Sequence, residues 1–135
     1  MAEMKQTYFS AVGRRKEAIA RIRLMEGKGV ITVNTKPIHE YFPGIVFQKA
    51  YQKPFEVTKT SGKFTAQIKV LGGGVPSQLG AVVHGISRAL SKIKDGDYRK
   101  LLKAEKLLTR DPRAKERRKY GNAQKARAKK QSPKR

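Results

Sequence analysis

Residues Phe64–Leu90, FTAQIKVLGGGVPSQLGAVVHGISRAL, decide the fold. Phe64, Ala66, Ile68 and Val70 alternate with Lys63, Thr65, Gln67 and Lys69, the two-residue period of a strand with one buried face. Gly72-Gly73-Gly74 then ends the strand. From Val75 the apolar residues Leu79, Val82, Val83, Ile86, Leu90 and Ile93 recur on one helical face, so the unit reads strand, sharp turn and long amphipathic helix. The helix is expected to pack back on its own strand. Its other face gathers Ser77, Gly80, His84, Ser87, Arg88 and Ser91. Glycine costs about 1 kcal/mol relative to alanine inside a helix, so Gly80 and Gly85 imply a close approach, either by a phosphate backbone or by another segment of the chain.

Charge dominates the composition. The chain of 135 residues carries 32 Lys and Arg against 10 Asp and Glu, a net +22, with 38% hydrophobic residues. Such a field attracts polyanions, and nucleic acid is the leading partner, ahead of an anionic membrane surface. Cysteine is absent, and two histidines, His39 and His84, do not make a zinc site. There is no apolar run of the roughly 20 residues a bilayer span needs, and no signal-peptide core, so a cytoplasmic protein is expected.

Outward from the central unit, Thr7–Val12 reads as extended, followed by the cluster Gly13-Arg14-Arg15-Lys16. A strand follows in which Ala18, Ala20, Ile22 and Leu24 alternate with charged residues including Arg21 and Arg23. With a turn at Glu26–Gly29, residues 7–33 are expected to form an antiparallel hairpin kinked at the cluster. Arg14, Arg15 and Lys16 at that kink are candidate phosphate contacts, the alternative being a solvated charge run. Ile38–Phe42 reads as a helical turn or two, and Ile45–Gln52 as a helix ending before Pro54. Phe55–Thr58 is expected to be extended, with a turn at Lys59–Gly62. The aromatics Tyr41, Phe42, Phe47, Tyr51 and Phe55 suit a core better than base stacking. After a turn at Lys94–Gly96, Asp97 is placed to cap a short helix carrying Tyr98, Leu101, Leu102 and Leu108.

Past Thr109 the chain contains no Val, Ile, Leu, Met or Phe, and residues 110–135 hold twelve Lys or Arg. Without burial to offset ordering entropy, this stretch is expected to be a disordered tail until a partner neutralises it, apart from a brief helix that Asp111-Pro112 can start and that runs through Arg118. The division expected is a domain over 1–109 and a basic tail over 110–135.

Enzymatic chemistry is not indicated. GGGVPSQLG matches neither the Walker loop nor the dinucleotide fingerprint, the carboxylates are scattered singly, and no triad is evident near either histidine. No cofactor is expected.

These residues are similar to those of a known family. Gly13–Ala18, Asn34 and Tyr41-Phe42-Pro43, the run Gly72-Gly73-Gly74, Gln78, Gly80-Ala81, His84–Leu90, and the tail segments Arg110–Arg113, Glu116–Gly121, Lys125–Arg127 and Lys134-Arg135 resemble bacterial-type small-subunit ribosomal protein nine over nearly the whole chain. The resemblance implies an α+β fold, a small mixed β-sheet with packed helices and a left-handed βαβ crossover, ribosomal protein S5 domain 2-like, carrying an extended basic tail. It implies a structural role in the head of the small ribosomal subunit, beside neighbouring head proteins and without a membrane. Ribosomal RNA would be contacted by Arg14, Arg15, Lys16, Gly73, Gly74, Gln78, His84, Arg88, Arg110, Arg113, Arg117, Arg118, Lys119, Lys125 and Arg127. Lys134 and Arg135 would reach the anticodon stem-loop of peptidyl-site tRNA. The family usually ends Gln-Phe-Ser-Lys-Arg, whereas this chain ends Gln131-Ser132-Pro133-Lys134-Arg135. Two other classes fit parts of the pattern: an RNA-processing subunit such as the ribonuclease P protein, for which the long tail and the RDPR segment are not expected, and a DNA-compacting protein, which needs no tail geometry. Metabolic kinases of related fold lack support in the absence of a phosphate loop.

Overall fold

The computed structural model describes residues 8–60, 62–93, 98–110 and 112–113. Thr7, Ser61, the Lys94–Asp97 turn and cap, Asp111 and everything from Ala114 onward lie outside them. Five strands form one mixed sheet: β1 (Tyr8–Arg15), β2 (Ala18–Glu26), β3 (Thr32–Val33), β4 (Lys36–Pro37) and β5 (Phe64–Leu71). Their spatial order is β1-β2-β5-β3-β4. The helices are α1 (Ile38–Tyr41), α2 (Ile45–Val57), α3 (Val75–Ser91) and α4 (Tyr98–Ala104). A mixed α+β fold is the result.

Strand β5 follows its sequence pattern, with Phe64, Ala66, Ile68 and Val70 buried. Strand β2 does the same with Ala18, Ala20, Ile22 and Leu24. The two pair antiparallel from Ile19↔Leu71 to Glu26↔Phe64, so their apolar rows share one face. Helix α3 lies on that face, but chiefly over β1 and β2 rather than over its own strand β5. The reason is steric: β1 and β2 offer Gly13, Ala18 and Ala20, small residues against which a helix can sit closely, whereas the inward row of β5 is bulkier. Helices α2 and α4 pack on the flank of α3, and Leu102 of α4 is fully buried. Helix α3 therefore buries Ala81, Gly85, Ser87 and Ala89 as well as its large apolar residues.

Three further expectations are corrected. The hairpin turn between β1 and β2 is Lys16-Glu17 itself, with Arg15 paired to Ala18 and Lys16 in the left-handed region at φ 51°. The basic cluster is the tip of a tight hairpin, not a kink in a longer one. Accordingly β3 does not pair with β2. It runs parallel to β5 through Thr32↔Gln67 and Val33↔Ile68, and turns back antiparallel into β4. The connection from β3 through α1 and α2 to β5 is thus a βαβ crossover between neighbouring strands. Finally, α2 runs through Pro54 to Val57, and Phe55–Val57 is helical rather than extended. Proline in a helix interior costs about 3 kcal/mol. Burying Tyr51, Pro54 and Phe55 together offsets that, since a large apolar side chain contributes roughly 1.5–3 kcal/mol. The Thr58 hydroxyl then donates to the Pro54 carbonyl at 2.9 Å and satisfies the end of the helix.

Candidate nucleic-acid interface

Fifty-five residues separate the basic hairpin from the glycine loop in sequence, and the fold sets them side by side. A Cβ on Gly72, whose φ is +79°, would come within 2.6 Å of the Glu17 carbonyl oxygen. A Cβ on Gly73 would meet the Cβ atoms of Ala18 and Ser77 at 3.1 and 3.2 Å. These glycines let the strand-to-helix turn nest under the hairpin tip, a packing requirement separate from any ligand. The turn is braced by a chain of polar contacts. Asn34 donates from Nδ2 to the Val70 carbonyl at 3.0 Å and accepts from the Val70 N–H at 2.9 Å. Tyr41 donates to Gln78 Oε1 at 2.7 Å, and Gln78 Nε2 donates to the Gly72 carbonyl at 3.1 Å. Gly74 begins α3 without supplying a side-chain cap.

The close approach to α3 comes from the chain itself. A Cβ on Gly13 would fall on the Ala81 carbonyl oxygen and the Gly85 backbone, and one on Gly85 would meet the Ile22 side chain and, at 3.1 Å, the Gly13 nitrogen. Gly13 and Gly85 bring the β1 and α3 backbones into contact. At Gly80 the neighbour is the Arg15 side chain, whose methylenes cross the helix where a Cβ would stand.

The polar stripe of α3 locks the free edge of the sheet. Among the described residues strand β1 pairs only with β2, which leaves its outer edge without a strand partner, a hazard that proteins must cover. His84, Arg88 and Lys92 stand four residues apart, one helical turn each, and meet that edge in sequence. His84 Nδ1 accepts from the Arg14 N–H at 3.4 Å, Arg88 donates to the Val12 carbonyl at 2.6 Å, and Lys92 donates to the Ser10 carbonyl. The remaining imidazole nitrogen, Nε2, lies 3.2 Å from the Leu108 carbonyl and straps down the segment after α4. Both contacts need the neutral ring with its proton on Nε2. Burial holds the His84 pKa below the usual histidine range, the Leu108 hydrogen bond acts against this, and Arg88 and Arg110 add to the lowering. Folding therefore favours the neutral ring, while the unfolded chain takes up a proton near pH 6.5. The His84 contribution should be complete above about pH 6.5 and be lost as the pH falls below it toward the folded-state pKa. Urea unfolding between pH 5 and 8 should show wild type losing more stability on acidification than His84→Gln; parallel profiles would contradict the strap.

Between hairpin, α2, α3 and the segment after α4 lies an open cleft of about 390 Å³. Arg14, Arg15, Lys53 and Lys106 line it over a floor that includes Leu79, Gly80 and Val83. Lys53 and Lys106 were not legible as site residues, because single lysines on separate elements carry no local signal. Of the candidates from sequence, Arg14 and Arg15 line this cleft, Gly73 packs against Ala18 just past the hairpin turn, and Arg88 and His84 stand on the adjoining β1 edge. Gln78 and His84 spend their polar atoms inside the protein. Arg110 and Arg113 are exposed on the segment leaving the domain. Arg117, Arg118, Lys119, Lys125, Arg127, Lys134 and Arg135 lie outside the described residues. Among the described residues no group of three metal-ligating side chains occurs, and no helix is long and apolar enough to cross a membrane.

The fold and site define a cation-rich α+β domain with a basic hairpin set against a helix N-terminus. The family model for ribosomal protein S9/S16 matches residues 13–135, and the chain belongs to that family. It is 53% identical over 118 residues to small ribosomal subunit protein uS9 of Maridesulfovibrio salexigens, covering 87% of this chain and 90% of that one. The protein of the same name from Dehalococcoides mccartyi strain CBDB1 is 55% identical over 117 residues, covering 87% and 88%. The family is one of structural ribosomal proteins, not enzymes.

Proposed function

We propose that this chain is a structural constituent of the small ribosomal subunit in the cytoplasm, holding small-subunit ribosomal RNA in the subunit head and extending its tail to peptidyl-site tRNA. The observation that carries the reading is that the Lys16-Glu17 hairpin tip packs on the Gly72-Gly73 turn while Arg14 and Arg15 line a cleft with Pro76 and Gly80 at the uncapped start of α3. Three cations and the positive end of a helix dipole make one anion-seeking surface. Arg88 keeps donors beyond the one given to Val12 and extends that surface along β1. Gln78 and His84 act by positioning the turn and the tail root. Arg110 and Arg113 start a basic path that Arg117, Arg118, Lys119, Lys125 and Arg127 continue on ribosomal RNA. The βαβ crossover is left-handed in this reading, as in the ribosomal protein S5 domain 2-like fold, and residues 1–109 form the domain and 110–135 the tail. Ile45 and Val46, exposed at the start of α2, offer apolar surface to a neighbouring head protein.

The tail tip is the most specific part. Twenty-six extended residues reach at most about 85–95 Å, enough to pass from a head-docked domain to the peptidyl site. Pro133 limits the conformations to be ordered, Lys134 supplies a point charge and Arg135 a two-pronged donor to phosphates. Backbone contacts carry no base information, so any tRNA is held. Deleting Lys134 and Arg135 should leave subunit assembly intact and weaken peptidyl-site tRNA binding to similar degrees for different tRNAs. Wild-type affinity across a range of magnesium and salt, or a loss confined to one anticodon, would refute the assignment.

A further inference from the structure

Among the described residues the helices cover one face of the sheet and leave the other open. On that open face, strand register lines up Ser10, Arg23, Gln67 and Thr32 in one row and Val12, Arg21 and Lys69 in the next. Arg21, Arg23, Gln67 and Lys69 are all exposed, and the outward positions of β1, β2, β3 and β5 carry no carboxylate. Arg21 and Lys69 are direct cross-strand partners. Like charges placed opposite each other destabilise a sheet, so this arrangement gives up stability within the isolated protein. A ligand that supplied negative charge would remove that repulsion.

Shape and preorganisation point the same way. The β3–β4 turn raises a rim at Asn34 and Thr35, both in the left-handed region at φ 48° and 72°. With Arg21, Arg23, Gln67 and Lys69 it encloses an open depression of about 460 Å³. Asn34 is fixed by its paired hydrogen bonds to Val70, so the rim is rigid. The Arg23 guanidinium also sits 5.5 Å from the centre of the Tyr8 ring, a cation–π contact that restricts the side chain before anything binds. A rigid trough lined by three cations, with amide and hydroxyl groups beside them, suits successive phosphates of a nucleic-acid strand.

We propose that the open face of the sheet, through Arg21, Arg23 and Lys69, is a second RNA-binding surface that holds a ribosomal RNA segment different from the one at the hairpin tip. The domain then joins two RNA segments. This rests on the ribosomal RNA reading above, with different residues.

The absence of cysteine allows single-site probes. Full-length Gln67→Cys on the open face and Glu17→Cys at the hairpin turn, each carrying a tethered iron–EDTA group, are assembled into small subunits and the RNA cleavage is mapped. Cleavage from position 67 at a segment distinct from that cut from position 17 is expected. In parallel, the Arg21→Gln/Arg23→Gln/Lys69→Gln chain should bind small-subunit ribosomal RNA with a log–log salt slope lower by about 2 to 3, with an unchanged circular dichroism spectrum. No RNA cleavage from position 67, or an unchanged slope, overturns the proposal, and cleavage from position 17 then leaves the hairpin reading standing. Cleavage from neither position removes both.

Discussion

Gly13→Ala will destabilise the domain by about 3 kcal/mol or more, the upper end of what overpacking costs. The added methyl would land on the Ala81 carbonyl oxygen and the Gly85 backbone, neither of which can swing aside as a side chain can. Relief requires α3 to lift from β1, which would also pull His84, Arg88 and Lys92 away from the strand edge they cover. For a domain of this size a melting temperature lower by about 10 °C or more follows. Gly80→Ala is the control, since its methyl meets only the flexible Arg15 side chain and alanine favours the helix by about 1 kcal/mol. Thermal unfolding of the two variants should separate them clearly. Equal losses would mean that the Gly13–Gly85 contact is not the tight junction described.

The second large effect concerns the tail. Leu107 and Leu108 pack against the core and are the last of the Val, Ile, Leu, Met and Phe residues in the chain. Truncation after Thr109 should therefore leave a folded domain while removing twelve cations. Each phosphate neutralised contributes about 0.7 to 0.9 to the log–log salt slope, so if half of those cations are engaged the slope falls by about 4 to 5. Affinity for small-subunit ribosomal RNA should drop by orders of magnitude at low salt, and the full and truncated chains should converge as salt rises. Filter binding across a salt series measures this. An unchanged slope would show that the tail cations are not on RNA, and an unfolded truncation would undo the division at Thr109.

The strand-turn-helix unit at the centre was legible because both of its periods are long and clean. Phe64–Val70 alternates without a break, and α3 keeps its apolar spacing over four turns. The hairpin was misplaced because Glu26–Gly29 carries a strong glycine turn signal, whereas the real turn, Lys16-Glu17, puts an ordinary lysine into the left-handed region. A two-residue strand such as β3 has no period to read, so its parallel pairing with β5 could emerge only from tertiary structure. Pro54 misled for a related reason: local rules end a helix there, and the burial that outweighs them involves distant residues. At the site, the types Arg14, Arg15, Lys16 and Gly72–Gly74 were visible, but not their contact. The two glycines that imply a close approach to α3 admit β1 at Gly85 and the Arg15 side chain at Gly80. The open-face cations Arg21 and Arg23 were in plain view as the outward half of an alternating strand. What the sequence lacked was the register that sets Lys69 opposite Arg21.

The central claim is that the hairpin tip against the start of α3 is where the domain holds ribosomal RNA. Its most direct measurement is the salt-dependent affinity of full-length Arg14→Gln/Arg15→Gln/Lys16→Gln for small-subunit ribosomal RNA, with circular dichroism on the same sample. Lys16 and Arg14 are exposed and Arg15 is half-buried, its methylenes lying on Gly80, so glutamine preserves most of the packing. A log–log slope lower by about 2 to 3, weaker binding at every moderate salt concentration, and an unchanged fold are predicted. Wild-type affinity and slope in a folded triple variant would contradict the account.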